Sequence, residues 1–487
     1  MTNDISSLKS AYELASERIL HNPNKKFDYD EENIFGDLSG SSLEDKKWDF
    51  VDIPEFSAKK DVVIESDSKK TIETETEPNG NPPIRVVKSK TYHYGDKMLE
   101  LYWNGQFLDY GGFARMNRSM VFGLSNRNVK VKTEIQPFLT HVNQATQKEI
   151  ESLSRNVISE DAPRVYGVTV PSYVTGPGRK IIYTMIESCE KAHKDYIGKL
   201  NLADEIWTPT EYGKKVLENS GLNIPIYVMP LGVDTSRYTD KRYNFDFLNV
   251  SDESAEYLNN SFVFLSVFRW SYRKGYDILL KAFMEEFGPE DNVSLLMASR
   301  AVECSEDSSS QKISEDFTGI RSMISKNDED LPYVALYTEP IHEKNMPNLY
   351  GASDAFVLIS RGEGFCMPMI EAGACGIPVI GSNVTGQTDF LNQENSFLVE
   401  PDGYVKAECN GQLSNMAKLC HFYNGQIFPD FNTTSIEKTK EHMRFIYENY
   451  EEAKKKAMKL HEKINVNYTW DMAVDRVYDR IRKINKK

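Results

Sequence analysis

The sequence predicts an α/β protein made of two open, mostly parallel sheets in tandem. From about Lys97 onward, short apolar runs alternate with helical patterns, which is typical of βα units. A polar stretch from Tyr238 to Asn260 separates two such series. The length agrees with this interpretation, because a chain of 487 residues has room for about three domains and can bury large cores without disulfide bonds.

Each predicted strand is an apolar run that ends in a polar or glycine-containing turn. The first series gives Met98–Trp103, Val129–Ile135, Arg164–Val170, Ile181–Met185, Glu205–Thr208 and Ile226–Met229. The second series gives Phe262–Val267, Val293–Ala298, Tyr333–Tyr337, Ala355–Ile359, Pro378–Gly381 and Ser396–Val399. The polar segments Cys304–Asp330 and Tyr404–Ser435 are interpreted as surface excursions.

The chain is therefore expected to divide into four regions. Residues 1–95 form an acidic, partly disordered extension with a short helix from Asp4 to His21, residues 96–240 and 241–468 form the two α/β domains, and residues 469–487 form a terminal helix. The formal net charge is −15, of which Asp28 to Glu77 contributes −10. Nucleic-acid binding is disfavoured, because it requires a basic surface.

The six cysteines form neither a C-x-x-C pair nor a cluster with histidine at zinc-ligand spacing. The sequence therefore predicts no metal site and no disulfide framework, and reduced thiols in a cytoplasmic protein. Neither a signal peptide nor an apolar stretch of the ~20 residues that a membrane span needs is found. Loose association with a membrane surface stays open.

The segment around Glu363 predicts an anion site. The strand Ala355–Ile359 ends in a glycine-containing loop, Arg361–Gly364, and Pro368 stands where a first helical turn begins. This arrangement presents free backbone N–H groups beyond the carboxyl edge of a parallel sheet, where phosphorylated ligands bind. Glu363 and Glu371 bracket the helix start. They either accept hydrogen bonds from sugar hydroxyls or only complement the helix dipole.

A second motif places positive charge at the same edge. Phe262–Phe283 has the pattern of a strand, basic residues, Gly275 and an amphipathic helix. Arg269 and Lys274 then lie at the carboxyl end of the first strand of the second domain. Basic residues in loops are usually only solvated, but the Glu363 loop is expected to emerge at the same edge. We therefore expect these two cations to bind a leaving diphosphate.

Together these motifs resemble a known family. From about Met98 to Ile484 the sequence resembles the retaining glycosyltransferases of the GT-B fold, glycosyltransferase family 4. The most specific element is the paired-glutamate pattern E-G-F-C-M-P-M-I-E at Glu363–Glu371, followed by A-G-A-C-G-I-P-V-I. Supporting elements are R-W-S-Y-R-K-G at Arg269–Gly275, the Gly111-Gly112 pair, T-P-T-E-Y-G-K-K-V from Thr208 and M-P-L-G-V-D from Met229.

The resemblance implies two Rossmann-like domains facing across a cleft, an acceptor domain at 96–240 and a nucleotide-sugar domain at 241–468, with the terminal helix crossing back. It implies catalytic roles for Arg269 and Lys274, on the diphosphate, and for Glu363, on the sugar hydroxyls. The implied donor-binding residues are Glu371 at the ribose, the backbone near Phe365, Cys366 and Met367, and Gly111 and Gly112, which allow close approach.

The resemblance further implies retention of configuration, a UDP- or GDP-linked donor, and neither cofactor nor metal. The acceptor would be a glycan, a lipid-linked sugar or a protein. Two departures stand out, since Cys366 replaces a common glycine and the first domain lacks a histidine-rich strand end. Glu187 and His193 are the acceptor-site candidates in its place, and a surface or helix-capping role is the alternative for each.

Two other functions fit the same motifs. A nucleotide-sugar epimerase shares the fold, whereas a phosphorylase would need a pyridoxal-phosphate lysine that no segment indicates. A non-catalytic binding or scaffold module is the third reading, with the acidic extension recruiting a partner. A dehydrogenase is disfavoured, because no G-x-G-x-x-G opens a helix after a first strand.

Overall fold

A computed structural model describes residues 19–20, 98–136, 142–171, 173–301, 306–408 and 421–485. Nearly all of the predicted extension at 1–95 lies outside these described residues. Its described part is strand β1 (Ile19–Leu20), which pairs in parallel with Leu336 and Tyr337. The prediction of a helix from Asp4 to His21 is thus wrong at Ile19–Leu20, because these two residues extend the open edge of a sheet.

The first lobe is built on a parallel sheet, which in the described ranges has the order β3-β2-β4-β5-β6-β7. Its strands are β2 (Leu99–Gly105), β3 (Val129–Ile135), β4 (Arg164–Gly167), β5 (Lys180–Tyr183), β6 (Glu205–Thr208) and β7 (Ile226–Val228). Its helices are α1 (Gly112–Ser125), α2 (Gln144–Ser154), α3 (Lys194–Leu200) and α4 (Glu211–Asn219). Strands β5 and β6 are almost entirely buried, as expected of parallel strands covered on both faces.

The second lobe repeats this design, with the described sheet order β1-β10-β9-β8-β11-β12-β13. Its other strands are β8 (Phe262–Trp270), β9 (Val293–Ala301), β10 (Tyr333–Tyr337), β11 (Ala355–Leu358), β12 (Val379–Ser382) and β13 (Phe397–Val399). Its helices are α5 (Asp252–Asn260), α6 (Tyr276–Glu286), α7 (Glu306–Arg321), α8 (Met346–Ala352) and α9 (Met367–Ala374). The chain order reverses between β8 and β11, and such a switch point opens a crevice at the carboxyl ends of the strands.

Three helices complete the chain, α10 (Thr433–Glu448), α11 (Tyr450–Asn467) and α12 (Trp470–Asn485). Helices α10 and α11 pack on α6 and α9 of the second lobe, whereas α12 returns to the first lobe and packs on α1. The inner face of α12 buries Ala473, Val474, Val477 and Ile481. No helix within the described ranges combines the length and apolar character needed to cross a bilayer.

The predicted fold class, an α/β protein with two Rossmann-like domains, is confirmed. The two predicted surface excursions are wrong where the structure describes them, at 306–330, 404–408 and 421–435, and their other residues lie outside the described ranges. Within 304–330, α7 buries Ile313 and Phe317, because these apolar residues recur one helical turn apart. Within 404–435, strands β14 (Gly403–Lys406) and β15 (Ile427–Asp430) form an antiparallel hairpin that buries Phe428.

Candidate active site

The loop from β11 to α9 carries the first half of the paired-glutamate motif. Residues 361–367 are all buried, α9 begins at Met367, and Pro368 occupies its first turn. Cys366 caps the helix with φ 71°, in the left-handed region that favours glycine. The Glu363 backbone N–H donates to Thr385 Oγ1 at 3.0 Å, which fixes this loop against the turn that follows β12. The predicted combination of loop and helix start is therefore present.

Glu363 forms a buried ion pair with Lys274. Lys274 Nζ lies 2.6 Å from Glu363 Oε1, and Arg273 Nη1 lies 3.8 Å from the same oxygen. Burial alone would raise the pKa of Glu363, but the charges of Lys274 and Arg273 outweigh it and hold this pKa below its usual range. Glu363 is therefore an ionised hydrogen-bond acceptor at neutral pH.

Gly275 explains how the basic motif reaches this loop. Its φ is +68°, and a Cβ at this position would lie 1.8 Å from the carbonyl oxygen of Ile359. Only glycine accepts both conditions. The 3-10 turn Tyr272–Lys274 can therefore rest directly on the end of β11, which brings Lys274 beside Glu363.

Glu371, the second glutamate of the motif, lies on α9 with its side chain 2% exposed. Tyr350 donates its hydroxyl hydrogen to Glu371 Oε2 at 2.8 Å, and Arg115 of the first lobe forms an ion pair with Oε1. Arg115 also donates to the Tyr238 hydroxyl at 2.8 Å. Burial raises the pKa of Glu371, although Arg115 and Tyr350 oppose this shift.

Arg269 and the glycine pair meet across the two lobes. Arg269 lies near the end of β8 with a half-exposed side chain, and its Nη2 is 3.7 Å from Asp109 Oδ1. Asp109 Oδ1 accepts the backbone N–H of Gly111 at 2.5 Å. A Cβ at Gly111 would lie 2.5 Å from that carboxylate oxygen, whereas a Cβ at Gly112 would meet no atom within 4 Å. A side chain at Gly111 would therefore displace the Asp109 carboxylate, and the space beside Gly112 is open.

The structure separates the two acceptor-site candidates. Glu187 Oε1 lies 3.0 Å from Arg273 Nη2, and the hydroxyl of Tyr423 donates to Glu187. His193 caps α3 by accepting the backbone N–H of Asp195 at 3.2 Å. Glu187 thus lies beside the Glu363 loop, whereas His193 performs the helix-capping role that sequence analysis held open.

His193, Asp195 and His421 form one group that could ligate a metal, with ligand atoms within 4.8 Å of one another. Asp195 Oδ2 is 3.3 Å from His421 Nε2 and 3.8 Å from His193 Nδ1. The Nδ1 lone pair of His193 already accepts the capping N–H, and both Asp195 and His421 are exposed. A cation there would compete with the helix cap.

Sequence analysis missed the partners that the opposite lobe supplies. Arg115 and Asp109 reach Glu371 and Arg269 from the first lobe, and Asp389 of the second lobe accepts the backbone N–H of Glu211, at 2.7 Å, at the start of α4. Each is a single charged residue far from its partner along the chain. The one available signal was the position of Arg115 and Asp109 next to the glycine pair.

Two Rossmann-like lobes, with charged loops at the switch points of both sheets, define the GT-B architecture. A solved structure titled as Anabaena HepE in complex with UDP-glucose superposes with a TM-score of 0.54 at 12% identity, covering 79% of this chain and 100% of that one. Residues 259–410 match the family model described as glycosyl transferases group 1. The chain thus has the GT-B fold, and its second lobe contains the segment that resembles the group 1 glycosyl transferases.

Curated relatives match over shorter stretches. The chain is 28% identical over 173 residues to mannosylfructose-phosphate synthase of Agrobacterium fabrum, which covers 34% of each protein. It is 40% identical over 57 residues to an Escherichia coli galactosyltransferase named for UDP-Gal and α-D-GlcNAc-diphosphoundecaprenol, covering 12% of this chain and 15% of that one. The chain therefore spans about a third or less of the length of these relatives.

Proposed function

We propose that this protein transfers a sugar from a UDP- or GDP-linked donor to an acceptor, with retention of configuration and without a metal or other cofactor. The observation that carries the proposal is the buried Lys274–Glu363 pair, with its 2.6 Å contact, at the start of α9. Lys274 offers a cation for phosphate, and the ionised Glu363 offers a hydrogen-bond acceptor for hydroxyl groups. Both lie at one switch point. A nucleotide sugar carries both of those groups.

Each residue of the site has a defined task in this reaction. Arg269 and Lys274 stabilise the charge that develops on the leaving diphosphate, with the N-terminus of α9 adding a positive dipole. Glu363 accepts hydrogen bonds from the donor sugar, and Glu371 accepts those of the ribose.

The backbone amides of Phe365, Cys366 and Met367 bind phosphate or sugar oxygens, and the open space at Gly112 admits the donor. The acceptor hydroxyl attacks on the face that the diphosphate leaves, and the leaving phosphate takes the acceptor proton. The cations supply the charge stabilisation that a metal would otherwise provide.

The proposed acceptor is a glycan, a lipid-linked sugar or a protein that enters beside Glu187. A lipid-linked sugar is favoured among these by the substrate named for the galactosyltransferase relative, and it fits a loose membrane association. A cytoplasmic location is supported by the free, buried thiols of Cys189, Cys366 and Cys375.

Donor binding and donor turnover test the proposal. Thermal shift and calorimetry with UDP-glucose, GDP-mannose and the free nucleotides identify the base, because a ligand at a hundred times its dissociation constant stabilises by about 2.7 kcal/mol. Release of UDP or GDP then measures turnover. Lys274→Ala and Glu363→Gln should each lower turnover by about a hundredfold or more.

Lys281→Ala is the matched control, since Lys281 pairs with Glu285 on the surface of α6 at 3.9 Å. It should keep wild-type turnover. Full activity in Lys274→Ala and Glu363→Gln, or no binding of any nucleotide sugar by the wild type, would contradict the proposal. Interconversion of the donor sugar without transfer would indicate the epimerase instead.

A further inference from the structure

Two of the four charged residues predicted to bind the donor, Arg269 and Glu371, already have partners of opposite charge from the first lobe. Arg269, expected at the diphosphate, faces the carboxylate of Asp109 at 3.7 Å. Glu371, expected at the ribose, forms an ion pair with the guanidinium of Arg115. Asp109 and Arg115, which we call the first-lobe charge pair, lie on either side of the Gly111-Gly112 turn at the start of α1. One short segment thus reaches both ends of the donor site.

These contacts occupy the atoms that a nucleotide would use. Tyr350 of the second lobe satisfies Oε2 of Glu371, so Arg115 holds the other carboxylate oxygen, Oε1. A buried carboxylate cannot give up a charged donor without a replacement, because an unsatisfied buried charge is costly. Glu371 Oε1 is closed off from solvent beneath Arg115, so ribose hydroxyls can reach it only as the guanidinium withdraws.

The Asp109 carboxylate has a similar effect on the diphosphate. Its side chain is 3% exposed, and its Oδ2 has no hydrogen-bond partner among the described residues. A diphosphate bound to Arg269 would approach this buried carboxylate, and the like charges would repel each other. The contact is also loose, since 3.7 Å between Arg269 and Asp109 exceeds the 2.7–2.9 Å of a charge-assisted hydrogen bond.

We propose that the first-lobe charge pair competes with the nucleotide sugar for Arg269 and Glu371, so that donor binding requires Asp109 and Arg115 to release these two residues. This inference rests on the proposed function. It makes a prediction opposite in sign to that for a donor-binding residue: removing Arg115 should tighten donor binding, because the ligand no longer has to displace a bound group.

Calorimetric titration of the full chain with UDP-glucose and with GDP-mannose tests this competition. Arg115→Gln and Asp109→Asn should each lower the donor Kd by about tenfold, which corresponds to one charge-assisted hydrogen bond, and Arg115→Lys should return it toward wild type. Arg127→Gln is the matched control, because Arg127 lies just after the same helix and pairs instead with Asp471 and Asp475 of α12. Its Kd should equal that of the wild type.

The outcomes separate the two proposals. Weaker binding in Arg115→Gln would make Arg115 a donor ligand and overturn the competition, and an unchanged Kd in both variants would also overturn it. If Arg115→Gln binds a donor and the wild type binds none, the first-lobe charge pair excludes the donor and the proposed competition is supported. If neither protein binds either donor while both remain folded by circular dichroism, the proposed function and this inference fail together.

Discussion

Two sets of ion pairs, each with a buried carboxylate, join distant parts of this chain, and they differ in how completely the carboxylates are satisfied. Where α12 rests on the first lobe, Arg480 contacts Glu205 through Nη2 at 2.5 Å and Nε at 3.0 Å. Trp207 and Arg179 donate to the same fully buried carboxylate, so both oxygens are occupied. In the cleft, Asp109 keeps one oxygen without a partner among the described residues and meets Arg269 at 3.7 Å.

Under the proposed function, the difference separates a contact that stabilises the fold from the Asp109–Arg269 contact, which keeps hydrogen-bonding capacity for a ligand. A saturated buried pair has little to gain from another partner, whereas loosely held charges of known sign retain bonding capacity. Burial and charge alone therefore do not distinguish the two sets. Hydrogen-bond saturation does: it indicates a stabilising role for the α12 contact, and it supports the proposed role of the Asp109–Arg269 contact in donor binding.

The greatest loss of stability is expected where the ion pairs of Glu205 are removed. Glu205→Ala leaves Arg480 and Arg179 without their carboxylate, and removing one member of a buried pair typically lowers the free energy of unfolding by about 3–5 kcal/mol. Chemical denaturation measures this loss, and donor Kd measured on the folded variant should stay unchanged. Comparable stability losses in Glu205→Ala and Asp109→Asn would erase the distinction between the two regions.

A smaller change in stability is expected at Cys366, in the loop between β11 and α9. Cys366 has φ 71°, so its backbone is strained in a way that glycine relieves. Cys366→Gly and Cys366→Ala both lose the buried thiol, but the glycine variant should be more stable by about 1 kcal/mol, because a left-handed backbone costs an L-residue about that much. Equal stabilities in denaturant titration would show that the loop relaxes around alanine.

The smallest effect concerns a carboxylate outside both regions. Burial alone would raise the pKa of Asp402, but hydrogen bonds from Ser435 and from backbone N–H groups at the start of α10 lower it to about 2. Its stabilising contribution is therefore complete above the ordinary value of 3.8 and is lost as pH falls through about 2.

The melting temperature of Asp402→Ala should accordingly lie below that of wild type at neutral pH, and the gap should close as the pH is lowered from 3.8 toward 2. A gap that is independent of pH would show that the side chain acts by packing rather than by charge.

The sequence predicted the fold class and the part of the site that belongs to local motifs. Strand patterns, Gly275 and the spacing of Glu363 and Glu371 are local features, so they predicted two sheets and a charged loop at the helix start. Helix α7 was not predicted, because its apolar residues Ile313 and Phe317 lie among many polar residues.

The partners of the site residues were missed for a different reason. Arg115 and Glu371 are 256 positions apart, and their contact depends on how the lobes face each other. No local spacing encodes that orientation. Tyr350 likewise reaches Glu371 only because α8 and α9 pack together in the second lobe.

Hydrogen–deuterium exchange of the full chain, measured with and without UDP-glucose or GDP-mannose, would show whether a donor displaces the first-lobe charge pair. The account predicts that donor changes exchange in 109–118 and 363–371, with slower exchange in the Glu363 loop, while Glu205 and α12 stay unchanged. Donor-induced changes confined to α12, or no change anywhere with either nucleotide sugar, would contradict it.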